Sequence, residues 1–214
     1  MEHVSLSDRL QWEIDGRDWP NRSASRFVKA AGLNWHVKQF GPASMEVPVI
    51  VLLHGTGSSS HSWRDVAPRL AQDCSVIVMD LPGHAFTAMP PNAEQSLAGM
   101  SRNVAALLHE LNVSPTLIAG HSAGPGHVSA ALAMMAHWDL EPLERELPRL
   151  SLPVWMVAAE NDTTVPATQA AQIARRLPRS HQVLWPMLGH LAHEESPAQC
   201  AALLKGVMDE VLQK

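Results

Sequence analysis

Leu117-Ile118-Ala119-Gly120-His121-Ser122-Ala123-Gly124 decides how the rest of this 214-residue chain is read. Apolar residues of strand character run up to Gly120, and Ser122 then stands between two glycines in the spacing Gly-x-Ser-x-Gly. A helical spacing follows, with Val128, Ala131, Leu132, Met135 and Trp138 on one face. A strand, a tight turn and a helix with a serine at the apex make a nucleophile elbow. The glycines serve a steric end. The serine backbone is strained, and neighbours without a Cβ let strand and helix come close. The backbone N–H of Ala123, at the helix start, would then point at a developing oxyanion. Taken alone, the motif fits an ordinary strand-to-helix turn equally well, so the flanking pattern has to separate the two.

On the amino-terminal side, Pro115 starts the strand that leads to Ser122. Ser96 is placed to cap a helix carrying Leu97, Met100, Val104, Leu107, Leu108 and Leu111. Val47–Leu53 and Ser75–Met79 are short continuous apolar runs, the pattern of strands buried on both faces of a parallel sheet. The first ends in His54-Gly55-Thr56-Gly57 and the second in Asp80-Leu81-Pro82-Gly83-His84. The glycine loop lacks the Lys-Ser/Thr pair of a P-loop, so a phosphate cradle is not expected. Between them, Ser62–Leu70 reads as helix despite Pro68. Further back, Phe27–Ala30 and Asn34–Phe40 read as two strands joined at Ala31-Gly32. Residues 1–25 are polar without clear periodicity, with Trp12 and Trp19 as isolated anchors.

On the carboxyl-terminal side, Asp139–Leu150 is charged and punctuated by prolines, a surface connection with some helix. Leu152–Ala159 returns to strand character and ends in Glu160-Asn161-Asp162. A helix is expected over residues 167–177 with Ile173 and Leu177 inward, then a short strand at Gln182–Trp185 followed by Leu188-Gly189-His190. Ser196-Pro197-Ala198-Gln199 reads as a capping box opening a terminal helix, with Leu212 among its inward residues. The alternation of strands and helices predicts an α/β chain with a mostly parallel, doubly wound sheet and an N-terminal antiparallel hairpin.

Composition narrows the function classes. Hydrophobic residues at 46% and charged residues at 17% describe a globular protein with a sizeable core, expected to be one domain over residues 1–214. A net charge of -5 gives no basic footprint, which argues against a nucleic-acid partner. No apolar run reaches membrane-spanning length, and the first 18 residues have no apolar core of signal-peptide type, so a cytoplasmic location is expected. Cys74 and Cys200 lie far apart, and the twelve histidines show no His-x-x-x-His pair, so neither a disulfide framework nor a metal site is expected.

Ser122, Asp162 and His190 each follow a predicted strand, at the carboxyl ends where open α/β sheets place their sites. A serine hydroxyl needs a neutral imidazole to take its proton, and that imidazole needs a carboxylate to fix its tautomer. Ser122, His190 and Asp162 supply these roles in the chain order Ser, Asp, His. Glu160 is a competing acid and His193 a competing imidazole. The second oxyanion donor is expected from the N–H of Thr56 or Gly57, while His54 and His121 are read as supports. No cofactor is called for.

The set formed by His54-Gly55-Thr56-Gly57, Asp80-Leu81-Pro82-Gly83-His84, Gly120-His121-Ser122-Ala123-Gly124, Glu160-Asn161-Asp162 and Leu188-Gly189-His190 resembles the α/β-hydrolase superfamily. Asp18-Trp19-Pro20-Asn21-Arg22, His61-Ser62-Trp63-Arg64, Gly83-His84-Ala85-Phe86-Thr87 and Met134-Met135-Ala136-His137-Trp138-Asp139-Leu140 resemble, more narrowly, the magnesium-chelatase accessory proteins of bacteriochlorophyll synthesis. The resemblance implies a serine hydrolase, esterase-like on a hydrophobic substrate, tied to a tetrapyrrole pathway. It equally allows a non-catalytic accessory that binds a porphyrin intermediate or magnesium chelatase. Members of the family carry a long lid segment after the elbow. Here only 39 residues separate Ser122 from Asp162, and Gly124 runs straight into Pro125-Gly126-His127. A shortened, lidless fold is therefore expected, with the missing segment falling between about residues 124 and 127. Its sheet could close by pairing Leu117–Gly120 with Leu152–Ala159 after a shift of ~4.8 Å, one strand spacing.

Overall fold

The computed structural model describes residues 10–42, 46–90, 96–121 and 139–213. The chain forms two compact units, Met1–Trp138 with Ala201–Lys214, and Asp139–Cys200.

The first unit is built on five strands: β1 (Ser25–Ala30), β2 (Leu33–Phe40), β3 (Val49–Leu53), β4 (Ser75–Met79) and β5 (Leu117–Gly120), in the order β1-β2-β4-β3-β5. Ala31 and Gly32 both take positive φ, +50° and +75°. Two successive left-handed residues make the hairpin turn whose twist matches its strands, so β1 and β2 pair antiparallel with Ala30 opposite Leu33. β2 pairs antiparallel with β4, and β3 lies parallel between β4 and β5. Every residue of β4 is buried, as are Ile50, Val51 and Leu52 of β3, which explains their unbroken apolar sequence. Leu53 stands opposite both Met79 and Gly120. The segments starting at His54, Asp80 and His121 therefore leave one edge of the sheet together.

Helix α1 (Trp12–Asp15) lies in the stretch that showed no periodicity, because four residues are too few to show one. The helix expected over Ser62–Leu70 is instead a 3-10 turn, Ser60–Trp63, followed by α2 (Ala67–Leu70). Ser59 accepts from the His61 N–H, a side-chain bond that competes with a regular start. Pro68 then sits in the first turn of α2, where a missing N–H costs little. Helix α3 (Leu97–Glu110) starts at Ser96, whose hydroxyl accepts from Gly99 N at 3.1 Å. It packs on β1, and its Leu107 and Leu108 join Trp35, Val37, Val51, Ile77 and Met79 in the core. Just after β2, Gly41 has φ +77° and a Cβ on it would meet the Cys74 carbonyl oxygen at 2.3 Å.

The second unit contains α4 (Glu141–Glu146), β6 (Val154–Ala159), α5 (Ala167–Ala174), β7 (Ser180–Trp185) and α6 (Ala192–Glu195). β6 and β7 form a two-stranded parallel sheet with Ala159 opposite Trp185. The expected pairing of Leu117–Gly120 with Leu152–Ala159 is not what the described strands show, since β5 is paired with β3 and β6 with β7. α5 buries Ala174, and Leu177 is buried beyond its end. Ile173, expected inward with Leu177, is 39% exposed. The helix stops at Ala174, so the fourfold spacing that linked the two residues no longer applies.

Helix α7 (Pro197–Leu212) begins in the second unit and continues in the first. Ser196 and Gln199 bond to each other through their side chains at 3.3 Å. Ala201, Val207 and Met208 are buried, whereas Leu212, expected inward, is 55% exposed in the last turn. Among the described residues no helix is long and apolar enough to cross a membrane.

Candidate active site

The parallel register of β6 and β7 sends both following loops from one edge. Glu160 N–H donates to the Trp185 carbonyl and Asn161 N–H to that of Leu188, each at 2.9 Å, tying the loops together. Asp162 folds into a turn in which one carboxylate oxygen accepts from the N–H groups of Thr164 and Val165, both at 2.8 Å. Its other oxygen receives His190 Nδ1 at 2.8 Å, and both side chains are only one-tenth exposed. A carboxylate can only accept, so Nδ1 carries the proton of this bond. Burial raises the carboxyl pKa. The N–H of Val165, the bond from His190, the N–H of Thr164 and the ring's charge outweigh that, and the Asp162 pKa is lowered. The structure thus brings together Asp162 and His190, the carboxylate and imidazole singled out in the sequence.

The two competitors fall away on geometry. Glu160 is exposed, and the partner of His190 is Asp162. His193 is buried on α6, with Nε2 4.0 Å from Glu194. That short helix, which the sequence reading missed, contributes Glu195, whose carboxylate accepts from Gly189 N–H at 2.9 Å and holds the loop that carries His190.

In the first unit, the loop after β3 is held by two imidazoles. His54 donates from Nδ1 to the Gly55 carbonyl at 2.7 Å and accepts from Leu81 N–H at Nε2 at 2.8 Å. Burial, then the neighbouring His84, lowers its pKa to about 4, so it stays neutral and serves as the support expected of it. His84 Nε2 accepts from Gly57 N–H at 3.2 Å, which engages one of the two N–H groups expected to hold an oxyanion. Gly57 has φ +74°. Thr56 is buried, and among the described residues its N–H meets no acceptor. His121 continues the line of β5, its N–H donating to the Leu53 carbonyl at 3.1 Å. Ser122 and Ala123 lie outside the described residues, as does the expected elbow helix.

A second imidazole–carboxylate couple went unread in the sequence. Asp80 accepts from His36 Nδ1 at 2.7 Å, from Ser60 N–H at 2.7 Å and from Phe86 N–H at 3.3 Å. Both side chains are fully buried. Burial alone would raise the Asp80 pKa, yet the bonds from His36 and the Ser60 N–H bring it below the usual value. The sign in the sequence is that a histidine and a lysine, His36 and Lys38, flank Val37 within β2.

The sequence and the fold can now be set against known proteins. Residues 48–135 match the model of the alpha/beta hydrolase fold family, and residues 127–205 that of the TAP-like protein family. A bacterial membrane phospholipase A has a similar structure, with a TM-score of 0.76 at 17% identity, covering 89% of this chain and 87% of that one. The chain has the α/β-hydrolase fold. A thermophilic esterase from Thermogutta terrifontis is also similar in structure, with a TM-score of 0.72 at 17% identity over 87% of this chain and 98% of that one. In sequence, the chain is 28% identical to the magnesium-chelatase 30 kDa subunit of Rhodobacter capsulatus, over 83% of this chain and 92% of that protein. The alignment with that subunit runs to 263 positions, more than this chain has residues. A shorter match, 36% identical over 74 residues, links 35% of this chain to 28% of the pimeloyl-[acyl-carrier protein] methyl ester esterase of Aeromonas hydrophila.

Proposed function

We propose that this chain is a serine hydrolase acting on esters of hydrophobic acids, with Ser122 as nucleophile, His190 as proton shuttle and Asp162 as its orienting carboxylate. The observation that carries the proposal is the 2.8 Å contact between Asp162 and His190, with Asp162 pinned by two backbone N–H groups. A carboxylate so fixed keeps the imidazole in the tautomer that can take a serine proton. In the reaction, Ser122 Oγ attacks the ester carbonyl while its proton passes to His190 Nε2. The N–H groups of Thr56 and Ala123 receive the developing oxyanion, each worth ~3 kcal/mol in the transition state. The alkoxide then leaves with the proton from His190, and water releases the acid by the reverse path. No cofactor takes part, and the cytoplasm is the proposed setting.

The single-domain, lidless organisation belongs to the same proposal. An alignment longer than the chain supports it, because the chelatase relative then holds a long stretch without a counterpart here. The same relative supports a second reading, in which the chain is an accessory that binds magnesium chelatase or a porphyrin intermediate without turnover. A fluorophosphonate probe and a short-chain nitrophenyl ester separate the two. The hydrolase reading expects stoichiometric labelling at Ser122 and loss of at least ~1,000-fold in turnover in Ser122→Ala. Saturable porphyrin binding that is unchanged in Ser122→Ala, with no ester turnover in the parent, favours the accessory.

A further inference from the structure

We propose that Ser25, His36 and Asp80 form a second activated-serine site, distinct from Ser122, which accepts apolar acyl groups from neutral activated esters. His36 Nδ1 lies 2.7 Å from Asp80 and its Nε2 lies 3.0 Å from Ser25 Oγ. The proton positions follow from the donor inventory. Asp80 is an ionised acceptor also bound by the N–H groups of Ser60 and Phe86, so His36 Nδ1 must carry hydrogen. In the neutral ring Nε2 then holds only a lone pair, and the bond to Ser25 is made by the serine's own hydrogen. That is the arrangement in which an imidazole removes a hydroxyl proton during attack.

The elements place these groups on one face of the hairpin. Ser25 stands opposite Lys38, and Phe27 opposite His36, across β1 and β2. Ser25 is half-buried, while His36 is fully enclosed by the rings of Trp12, Phe27 and Phe86 at 4.9, 5.4 and 5.3 Å. The same three rings, with Leu10, Glu13 and Asn34, line an open depression of about 330 Å³ beside His36, reached at Phe27, two residues along β1 from Ser25. That is the lower end of the size range for small-ligand sites. Aromatic walls suit an apolar acyl chain, and the Glu13 carboxylate on the rim disfavours an anionic one. Lys38, opposite Ser25, adds a buried positive charge on the same face of the hairpin.

The chemistry balances without any further reagent than water. Ser25 Oγ forms a bond to the carbonyl carbon and its proton moves to His36 Nε2. The carbon–oxygen bond to the alcohol breaks, the alcohol leaves with that proton, and water later cleaves the acyl-serine. With a fluorophosphonate, the Oγ–P bond forms, the P–F bond breaks and fluoride leaves.

The test is peptide-mapped labelling of the full-length Ser122→Ala protein with an alkyl fluorophosphonate. The expected result is one equivalent on Ser25, at least ~100-fold faster than on the same residue in urea, as expected of a serine assisted by a base. Ser25→Ala, a change at a half-buried position, should abolish it with folding retained by circular dichroism. No label on Ser25 in the folded Ser122→Ala protein overturns the proposal and leaves Ser25 as the hydrogen-bond partner of a core histidine. The two serines are scored separately. Label on Ser122 alone in the parent upholds the hydrolase reading and defeats this one, and label on Ser25 alone does the reverse.

Discussion

The chain holds two histidine–carboxylate couples of almost equal length in opposite settings. His36–Asp80, at 2.7 Å, is wholly enclosed, while His190–Asp162, at 2.8 Å, keeps a tenth of each side chain in contact with solvent. Each carboxylate also accepts from two backbone N–H groups, but the donors differ in reach. Thr164 and Val165 lie two and three residues from Asp162, so that turn organises itself. Ser60 and Phe86 lie twenty and six residues from Asp80, and with His36, forty-four residues away, that carboxylate staples together β2, β4 and the loop after β3. A local turn can be remade by a short segment, whereas a long-range staple forms only when the sheet does. One couple is thus set by a local turn and the other by the assembly of the sheet, and the second also turns its other ring nitrogen to a hydroxyl.

Three substitutions probe this division. The largest effect is expected for Asp162→Asn on ester turnover, a fall of ~10⁴-fold, because an amide in that position holds the wrong histidine tautomer. Steady-state kinetics on a nitrophenyl ester read it, and a fall under tenfold would remove Asp162 from the orienting role. Its cost in stability should be small, about 1–2 kcal/mol, and should vanish in acid. The lowered Asp162 pKa makes its contribution full above the ordinary carboxylate range and lost as pH drops through the folded value.

Next comes Asp80→Asn, which leaves a buried histidine and two buried N–H groups imperfectly matched. Breaking a buried pair of this kind costs about 3–5 kcal/mol. Urea denaturation should show that loss for Asp80→Asn and under half of it for Asp162→Asn. Equal losses would erase the contrast between the couples.

The smallest effect concerns Lys38, the cation near Asp80 that has no counterpart beside Asp162. Its ammonium is buried, donates to the Pro20 carbonyl at 2.6 Å and lies 5.8 Å from the Trp19 ring. Burial, only partly countered by Asp80, lowers its pKa from 10.5 to about 8. Below that value the folded protein bears the full cost of the buried charge. Between pH 8 and 10.5 the folded state sheds a proton that the unfolded chain keeps, so stability should rise with pH, by at most about 3 kcal/mol. Melting temperatures of Lys38→Met and the parent, compared across that range, should differ in slope. Parallel curves would assign the titration to another group.

The legible parts of this molecule are those whose cause is local. Ala31-Gly32 announces a two-residue turn, Ser96 announces a helix, and the apolar runs at 49–53 and 75–79 announce buried parallel strands. Asp162 and His190 were legible because each follows a strand of one parallel pair, and the register does the rest. What stayed hidden depends on distant partners or on short elements. His36 and Asp80 meet only because β2 inserts antiparallel beside β4, a pairing that no spacing announces. The N–H of Gly57, the alternative to Thr56 as an oxyanion donor, meets His84, a partner twenty-seven residues away. The helices Trp12–Asp15 and Ala192–Glu195 are too brief for periodicity.

Gly41 carries a consequence for how this sequence can drift. Its backbone is as left-handed as that of Gly32, yet Gly32 faces open space while Gly41 faces the carbonyls of Cys74 and Ala71. An asparagine or aspartate can replace Gly32 at modest cost, since both tolerate that conformation. At Gly41 the smallest side chain would drive into main-chain oxygen, which cannot step aside as a flexible side chain can. Lineages descended from this chain are therefore free to rewrite the tip of the hairpin but not its base.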